Sequence, residues 1–530
     1  MEKPELREFL KKHAGRKPIS FHMPGHKNGE LFKRIGIPME EVVRPDYDIT
    51  EISGADNLFM PEEVLRHTMD KYKVLYESRE SFLLINGSSA GILAGILASV
   101  PIGGKIIVAR NCHKSVFNAL ELGQLQPIYV CPEKTRDYDI SGQVTVDSVR
   151  RAFEEHPDAR AIVLASPNYY GITSNIGEIA EIAHENEACV IVDEAHGAHL
   201  KFMAPDKAAE NQGADIVVVS THKTLGSFTQ SGILNVYGNR VNIPKLASKL
   251  ELIQSTSPSY LLMNSLDLNA DIIKEHGKEL FKEWRSCLDD FARTAIWIKG
   301  FMFMMDDSLD DTKINLDGTF LGLDGQRLSK ELEERGILTE LYDGPICMCM
   351  TGIGNGRNDY MKLLSALQDI SGVYIDAALD REHAAEEKKA KEGEEISYIA
   401  QAALVAIEHD DKNALDEIER QLTVLFGEEE EDETPFDIMP WGKLMPAYEL
   451  DWEMLSGSEE ELVDLNEAGD RVAASVLAPY PPGVPLVAIG ERISRDMAEF
   501  LSELRANGRK IAGLREDDKV MVYVKPKKIE

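Results

Sequence analysis

Short apolar runs rich in β-branched residues alternate with amphipathic stretches between about residues 81 and 237. Apolar runs without polar alternation are typical of strands that are covered on both faces, as in a parallel sheet packed between helices. The runs that we predict to be strands are 81–86, 105–110, 127–131, 161–167, 189–196 and 215–223. The segment after the first run, GSSAGILAGILASV, is predicted to be a helix. The pattern therefore predicts an α/β domain with a mostly parallel sheet over at least the first half of the chain.

The pattern changes beyond the first half of the chain. Residues 249–299 are predicted to be mostly helix and to connect two domains, and residues 313–367 are predicted to form a second α/β unit. Two charge runs, 380–396 and 428–434, are interpreted as solvated helix faces or linkers. We therefore predict an N-terminal arm, a large domain, a small α/β domain, an acidic helical or linker region and a C-terminal α+β domain. Their bounds, in that order, are 1–60, 61–300, 301–375, 376–440 and 441–530.

Composition narrows the class of partner. The 530 residues include 58 Lys and Arg against 91 Asp and Glu, which gives a formal net charge of −33. Such an acidic chain repels phosphate backbones and anionic lipid and attracts cationic solutes, so neither nucleic acid nor a membrane is predicted as a partner. The six cysteines have no common zinc spacing, and the N-terminal segment lacks the apolar centre of a secretory signal. We expect a soluble, cytoplasmic protein with reduced thiols.

Polar residues follow the predicted strands, in the segments NGSSAG, RNCHKS, SPNYYG, DEAHGAH and STHKTLG. In an open parallel sheet, ligands bind at the carboxyl ends of the strands. Asp193 ends one apolar run, and Lys223 follows the next run. Pyridoxal phosphate needs this pair, because its aldehyde forms a Schiff base with a lysine and its ring nitrogen needs a carboxylate to stay protonated. The pair therefore predicts a pyridoxal-phosphate site.

The remaining parts of such a site also have candidates. Ser88, Ser89 and Ala90 open a helix directly after a strand, where backbone amides bind phosphate. Ser220 adds a hydroxyl group near Lys223, and His113 can cover the cofactor ring. Each residue alone has a simpler explanation, such as a helix cap, an ordinary turn or a hydrogen-bonded histidine. Their joint occurrence at one edge of the sheet favours the cofactor.

A metallohydrolase is the competing hypothesis. His22 and His26 are four residues apart, and His196 and His199 follow two acidic residues. The Pro-Gly pair between the first two histidines breaks the helix that would align them, and the second pair lacks the HExxH order of a zinc helix. No metal is therefore predicted.

Eight segments together resemble the bacterial-type ornithine/lysine/arginine decarboxylases. They are FHMPGHKNG, FLLINGSSAG, ARNCHKSVFNAL, SPNYYGI, VDEAHGAHLKF, STHKTLGSFTQSGIL, STSPSYLLM and PYPPGVPLVAIGE. The resemblance runs from about Phe21 to about Met497 and is closest to the short form, which lacks an N-terminal response-regulator-like domain. It implies pyridoxal 5'-phosphate as cofactor and an aspartate-aminotransferase-like large domain (fold type I), followed by smaller α/β and C-terminal α+β domains.

The resemblance also implies roles for individual residues. Lys223 would be the Schiff-base lysine, Asp193 the partner of the ring nitrogen, His113 the stacking residue and His196 a neighbour of the cofactor. The residues that would hold or line the phosphate are Ser88, Ser89, Ser220 and His222. Thr256 and Ser257 would reach the phosphate of a partner subunit, which implies a homodimer or a higher homo-oligomer with active sites at the interface. Glu491 and the PYPPGVP segment would lie toward the substrate mouth.

The implied reaction is α-decarboxylation of a basic amino acid, with release of carbon dioxide and a polyamine precursor. We favour arginine as substrate, then lysine and ornithine, because short members of the family often make agmatine. The other amines would be cadaverine and putrescine. Three alternatives stay open from the residues alone. One is another enzyme of fold type I, an aminotransferase or a β-eliminating lyase. The second is the metallohydrolase, and the third is a binding homologue without catalysis.

Overall fold

The computed structural model describes residues 5–135, 137, 138, 140–408, 450, 452–480 and 483–524. Its α-helices are α1 (Leu6–Arg16), α2 (Glu30–Arg34), α3 (Met39–Val42), α4 (Val64–Leu75), α5 (Gly87–Ser99), α6 (Lys114–Gly123), α7 (Val146–Glu155), α8 (Ile176–Glu185), α9 (Leu200–Met203), α10 (Thr221–Thr224), α11 (Ile243–Ile253), α12 (Tyr260–Ala295), α13 (Gly325–Glu334), α14 (Arg357–Glu408), α15 (Trp452–Ser456) and α16 (Arg495–Ala506). Its strands are β1 (Ile19–Phe21), β2 (Glu80–Leu84), β3 (Lys105–Ala109), β4 (Gln126–Val130), β5 (Ala161–Ala165), β6 (Cys189–Asp193), β7 (Ile216–Val219), β8 (Gly232–Val236), β9 (Met302–Phe303), β10 (Lys313–Asp317), β11 (Ile337–Thr339), β12 (Leu341–Asp343), β13 (Ile346–Met350), β14 (Glu460–Asp464), β15 (Ala478–Tyr480), β16 (Lys510–Ala512) and β17 (Lys519–Tyr523). Within the described part of the chain, no helix is both long and apolar enough to cross a membrane.

The large domain is built on a seven-stranded sheet with the order β2-β8-β7-β6-β5-β3-β4. Neighbouring strands are parallel except at β8, which runs antiparallel to both β2 and β7. Every residue of β6, β7 and β8 is buried, as expected for strands covered on both faces. The predicted α/β fold with a mostly parallel sheet is confirmed.

The strand β8 was missing from the predicted set. Its apolar run is short and contains Asn235, which interrupts the hydrophobic pattern. In the sheet this amide is buried, and its Oδ1 accepts a hydrogen bond of 2.7 Å from the hydroxyl of Ser81 on β2. A polar side chain inside a buried strand is tolerated only with such a partner, and the partner lies 154 positions away.

All six predicted strands end earlier in the structure than in the sequence pattern, and two of them end three or four residues earlier. The run 189–196 leaves the sheet after Asp193, and the run 215–223 leaves it after Val219. The polar residues beyond these two points therefore lie in loops and short helices at the edge of the sheet. This edge is where an α/β protein of this kind binds its ligand.

Helix α5 lies close against the sheet at Gly91, which has no side chain. A Cβ atom added to Gly91 would lie 2.7 Å from Leu84 on β2 and 2.8 Å from Val218 on β7. Close helix–sheet contact leaves the first turn of α5 beside the carboxyl end of β7. The helix predicted from GSSAGILAGILASV is thus positioned by its small residues.

The N-terminal arm joins the large and small domains. Strand β1 pairs in parallel with β11 of the small domain. Gly25 donates a backbone hydrogen bond of 2.7 Å to His222, and its carbonyl accepts one of 3.0 Å from Gly354. The arm therefore contacts the segment of Lys223 from one side and the small domain from the other.

Residues 249–299 are mostly helical, as predicted, and the helical structure is interrupted between α11 and α12. Helix α11 ends at Ile253 and α12 begins after Ser259, whose side chain accepts a hydrogen bond from the amide of Leu262. Pro258 lies in the break, where its ring cannot continue a helix. The connection leaves Ser255, Thr256 and Ser257 exposed.

The rest of the chain forms two smaller units. The small domain contains a four-stranded antiparallel sheet with the order β12-β13-β10-β9, covered by α13. The C-terminal unit combines α16 with the strand pairs β14–β17 and β15–β16 around a hydrophobic core of its own. Helix α14 extends through the first part of the predicted acidic region, and the charge run 428–434 lies outside the described residues. The predicted domain bounds stay a prediction.

We expect Gly25→Ala to destabilise the protein, because the new Cβ would lie 2.5 Å from the carbonyl carbon of Thr224 and would force the arm away from the large domain. Overpacking of this kind costs about 1–3 kcal/mol of unfolding free energy. Urea unfolding measures the change. Gly15→Ala is the control, since a Cβ at Gly15 contacts nothing within 4 Å. Equal stability of the two variants would contradict the close approach of the arm.

Candidate active site

The centre of the site is a contact between Lys223 and His196. Lys223 lies on α10, directly after β7, and His196 follows the neighbouring strand β6. The Nζ of Lys223 lies 2.9 Å from the Nε2 of His196. Burial lowers the pKa of Lys223, although the charge of Asp193 opposes this shift. Burial also lowers the pKa of His196 well below its usual value. Burial therefore shifts both groups toward their neutral forms, and the neutral form of a lysine is the nucleophile.

Asp193 is the last residue of β6 and is buried. Its Oδ1 accepts one hydrogen bond of 3.2 Å, from the amide of Ala195. Burial raises the pKa of Asp193, and the nearby charge of Lys223 partly opposes the shift. Among the described residues, no cationic group lies within 4.0 Å of this carboxylate. A positively charged ligand nitrogen would therefore supply the partner that the fold itself does not.

The first turn of α5 forms one wall of a small polar space beside β7. Gly87 starts the helix with a φ of 73°, a conformation that glycine adopts without strain. Opposite it, a Cβ on Gly232 would lie 2.7 Å from the carbonyl of Val219 and 3.7 Å from the amide of Ser88. The hydroxyl of Ser220 is buried here and has no hydrogen-bond partner among the described residues. A glycine that keeps the space open and an unused hydroxyl fit a phosphate group held by the amides of Ser88, Ser89 and Ala90.

Two further predicted histidines have defined hydrogen bonds. His113 is the N-cap of α6, where its Nδ1 accepts from the amide of Ser115 at 3.3 Å and lies 2.9 Å from the hydroxyl of the same residue. His222 donates from Nδ1 to the carbonyl of Ser231 at 2.7 Å. Burial lowers the pKa of each ring to about 4, and the charge of Lys223 contributes to both shifts. Both histidines are therefore neutral at physiological pH.

Thr256 and Ser257 do not join this group on their own chain. They lie in the exposed connection between α11 and α12, and the amide of Ser257 donates to the hydroxyl of Ser255 at 3.2 Å. No described contact links them to Lys223. Their predicted contact with the cofactor of a partner subunit stays a prediction.

Two residues of the site were missed in the sequence. Tyr169 follows β5, and its ring centroid lies 4.7 Å from that of His196 in an edge-on contact. The hydroxyl of Tyr169 donates to the Oε1 of Glu340 at 2.9 Å. The position of SPNYYG after a predicted strand could have indicated Tyr169. Nothing near Glu340 in the sequence marks it, because its partner is 171 positions away.

The C-terminal unit reaches the same edge of the sheet through Arg110. This residue directly follows β3, is 1% exposed and lies 5.1 and 5.2 Å from the ring centroids of Phe117 and Tyr129. It donates to the carbonyl of Pro485 at 2.6 Å, and its guanidinium pairs with Glu491 at 3.0 Å. Glu491, predicted at the substrate mouth, is thus paired with Arg110. Among the described residues, no group of three or more His, Cys, Asp or Glu side chains could hold a metal ion.

The arm contributes a buried lysine. The Nζ of Lys27 donates to the carbonyls of His22 at 2.6 Å and Met350 at 3.0 Å. Among the described residues, no carboxylate oxygen lies within 4.0 Å of it. Burial lowers the pKa of Lys27 to about 7, against the opposing charge of Glu340.

This chain matches family models, relatives and a solved structure of decarboxylases of basic amino acids. Residues 4–313 match the model of the Orn/Lys/Arg decarboxylase major domain, and residues 443–523 match that of the Orn/Lys/Arg decarboxylase C-terminal domain. An arginine decarboxylase of Bacillus subtilis is 28% identical over 97% of this chain and 96% of the relative. An arginine decarboxylase of Bacillus cereus is 32% identical over 70% of this chain and 82% of the relative. The crystal structure of the Francisella novicida lysine decarboxylase LdcF has a TM-score of 0.67 at 21% identity, over 98% of this chain and 81% of that chain.

We expect Lys27 to make stability rise with pH above about 7. Between its pKa of about 7 in the folded protein and its ordinary value of 10.5, the unfolded chain holds a proton on Lys27 that the folded chain lacks. Stability therefore rises through this window by at most about 1.4 kcal/mol per pH unit. Lys27→Met should remove this contribution from the slope, which urea unfolding between pH 7 and pH 9.5 measures.

The control for this experiment is Lys33→Met, since the Lys33 side chain belongs to the same arm and is 76% exposed. It should leave the slope unchanged. A slope that is the same in wild type and Lys27→Met would show that Lys27 keeps its ordinary pKa.

Proposed function

Because the chain belongs to the Orn/Lys/Arg decarboxylase family, we propose that it removes the α-carboxyl group of a basic amino acid, arginine before lysine and ornithine, at the site around Lys223. It is a pyridoxal-phosphate-dependent amino-acid decarboxylase. When bound, the cofactor takes up the electron pair that remains when carbon dioxide leaves. The observation that supports this site best is the presence of the half-buried amine of Lys223 and the buried carboxylate of Asp193 at neighbouring strand ends, beside a space that fits a phosphate.

Each end of the cofactor has a proposed protein partner. The amine of Lys223 binds the aldehyde, since burial favours its neutral, nucleophilic form. Asp193 binds the ring nitrogen and keeps it protonated. The protonated nitrogen is then the positively charged partner that this carboxylate lacks in the protein. The first turn of α5 and the Ser220 hydroxyl bind the phosphate.

The histidines act as neutral walls in this proposal. His113 covers the face of the ring, and its side chain is fixed by the cap of α6. His196 lies beside Lys223. Its Nε2 accepts a hydrogen bond from the Nζ of Lys223, and this bond orients the amine. Burial favours the uncharged form of both imidazoles, so neither adds a positive charge beside Lys223.

The choice of arginine is supported by two of the relatives. The two Bacillus relatives are arginine decarboxylases, whereas the similar Francisella structure is a lysine decarboxylase. A net charge of −33 raises the encounter rate of any cationic substrate and does not discriminate among the three. The product amine would then enter polyamine biosynthesis.

We also propose that the protein works as a homodimer. The exposed Thr256 and Ser257 would complete the phosphate site of the other subunit, because in their own chain they lie apart from the site. Such an arrangement places the active sites at the subunit interface.

Incubation of the purified protein, loaded with pyridoxal phosphate, with arginine, lysine and ornithine separately tests the proposed reaction. We expect carbon dioxide release with formation of agmatine from arginine, at a kcat/KM at least about tenfold above that for the other two, a difference of roughly 1.4 kcal/mol. Chromatography identifies the amines. A keto acid would indicate an aminotransferase instead, and preferred formation of cadaverine or putrescine would refute the choice of arginine.

Lys223→Ala should lose covalent attachment of the cofactor and all turnover, since no other proposed group reacts with the aldehyde. Borohydride reduction followed by mass spectrometry measures the attachment: wild type should carry the cofactor on the peptide that contains Lys223. Lys114→Ala, which removes an exposed lysine beside His113, is the matched control and should keep the adduct. An adduct that persists in Lys223→Ala would disprove the assignment of this lysine.

A further inference from the structure

The carboxylate of Glu340 lies where three parts of the chain meet. Glu340 itself comes from the small domain, between β11 and β12. Its Oε1 accepts the hydroxyl of Tyr169 from the large domain at 2.9 Å. Its Oε2 accepts the backbone amide of Met23 from the arm, also at 2.9 Å. Both donors are neutral, so they orient the carboxylate without compensating its charge.

The two nearby lysine amines are directed elsewhere. Lys27 donates to two carbonyl groups, and Lys223 contacts His196. Among the described residues, Glu340 has no ion pair within 4.0 Å. Glu491 is a useful contrast, because it is paired with Arg110. Glu340 is therefore a half-buried carboxylate near Lys223 whose negative charge is available to pair with a cation.

The distance from Lys223 to Glu340 is spanned by two side-chain rings. The Nζ of Lys223 lies 2.9 Å from the Nε2 of His196, and the ring centroids of His196 and Tyr169 are 4.7 Å apart. The hydroxyl of Tyr169 then donates to Glu340. The α-carbon of a substrate would react near the Nζ of Lys223. A group at Glu340 would therefore have to be separated from the α-carbon by a chain of several atoms, as the terminal cation of a basic amino acid is.

The carboxylate of Glu340 can accept further hydrogen bonds from a substrate cation. Each carboxylate oxygen has two lone pairs, and each oxygen of Glu340 uses one for the hydrogen bond already described. One acceptor direction per oxygen remains. Two parallel acceptors suit a guanidinium group, and a single one suffices for an ammonium group.

We propose that Glu340 binds the positively charged end of the substrate side chain and that Tyr169 and Met23 position it for this contact. The inference rests on the proposed function and extends it to the residue that selects a basic amino acid. Tyr169 is in this view a positioning residue. The same contact would also bind the amine product.

The first test is Glu340→Gln in the cofactor-loaded enzyme. The amide removes the charge at nearly constant shape, so we expect KM for the basic substrate to rise about tenfold or more, with kcat changed less than about threefold, since a charge-assisted hydrogen bond is lost. Tyr169→Phe keeps the charge and should raise KM less. Absorbance of the bound cofactor should be the same in all three proteins. An unchanged KM in Glu340→Gln would overturn the inference.

The second test is independent of turnover. Calorimetry measures binding of agmatine and cadaverine to the loaded enzyme, with pentylamine as a ligand that lacks the second charge. We expect Glu340→Gln to weaken the dibasic amines about tenfold or more and to leave pentylamine unchanged. Equal weakening of all three amines would refute a contact with the terminal cation. An enzyme that binds these amines in this way but decarboxylates no amino acid would refute only the proposed function.

A third variant keeps the inference testable if Glu340→Gln fails to fold or to hold the cofactor. Glu340→Asp retains the charge and withdraws it by one methylene. The ratio of kcat/KM between the longer substrate arginine and the shorter substrate ornithine should then rise at least about threefold relative to wild type. An unchanged ratio in this variant would contradict the proposal.

Discussion

Burial of one amine and one carboxylate at adjacent strand ends is the constraint on which the site depends. Lys223 is half-buried and Asp193 is buried, and burial shifts the pKa of each in the direction that favours its neutral form. The charge of each group opposes the pKa shift of the other. The described contacts of the two side chains include no ion pair between them. Two polar groups held in this way are costly for the fold and are prepared for a ligand that carries the complementary groups.

The rest of the molecule closes this edge of the sheet. The arm approaches the segment of Lys223 at Gly25, the small domain contributes Glu340, and the C-terminal unit is fixed beside β3 by Arg110. Each contact joins parts of the chain that are far apart in sequence. The site is therefore assembled from four units, although its chemically reactive groups come from the large domain. Such enclosure removes water and strengthens the electrostatic interactions inside.

Most ionisable groups of the site are either neutral or paired, so few of them compete with a substrate for an opposite charge. His113, His196 and His222 have pKa values lowered by burial, which leaves them as neutral acceptors, donors and walls. Glu491 is neutralised by Arg110, and Lys27 by loss of its proton near pH 7. Glu340 remains without a partner of opposite charge in the described part of the chain, which is why we assign it to the substrate.

The sequence by itself determined the strands of the large-domain sheet except β8, the small-residue helix α5, and the presence of Asp193 and Lys223 at strand ends. These follow from local patterns, because hydrophobic period and residue type are properties of short segments. Only the tertiary structure decided that Thr256 and Ser257 lie apart from the site of their own chain, that Arg110 holds Glu491, and that Tyr169 meets Glu340. The contacts of Arg110 and Tyr169 join residues 381 and 171 positions apart, and their partners are chosen by the packing of whole domains. A local pattern carries no information about which distant side chain will occupy the other half of a hydrogen bond.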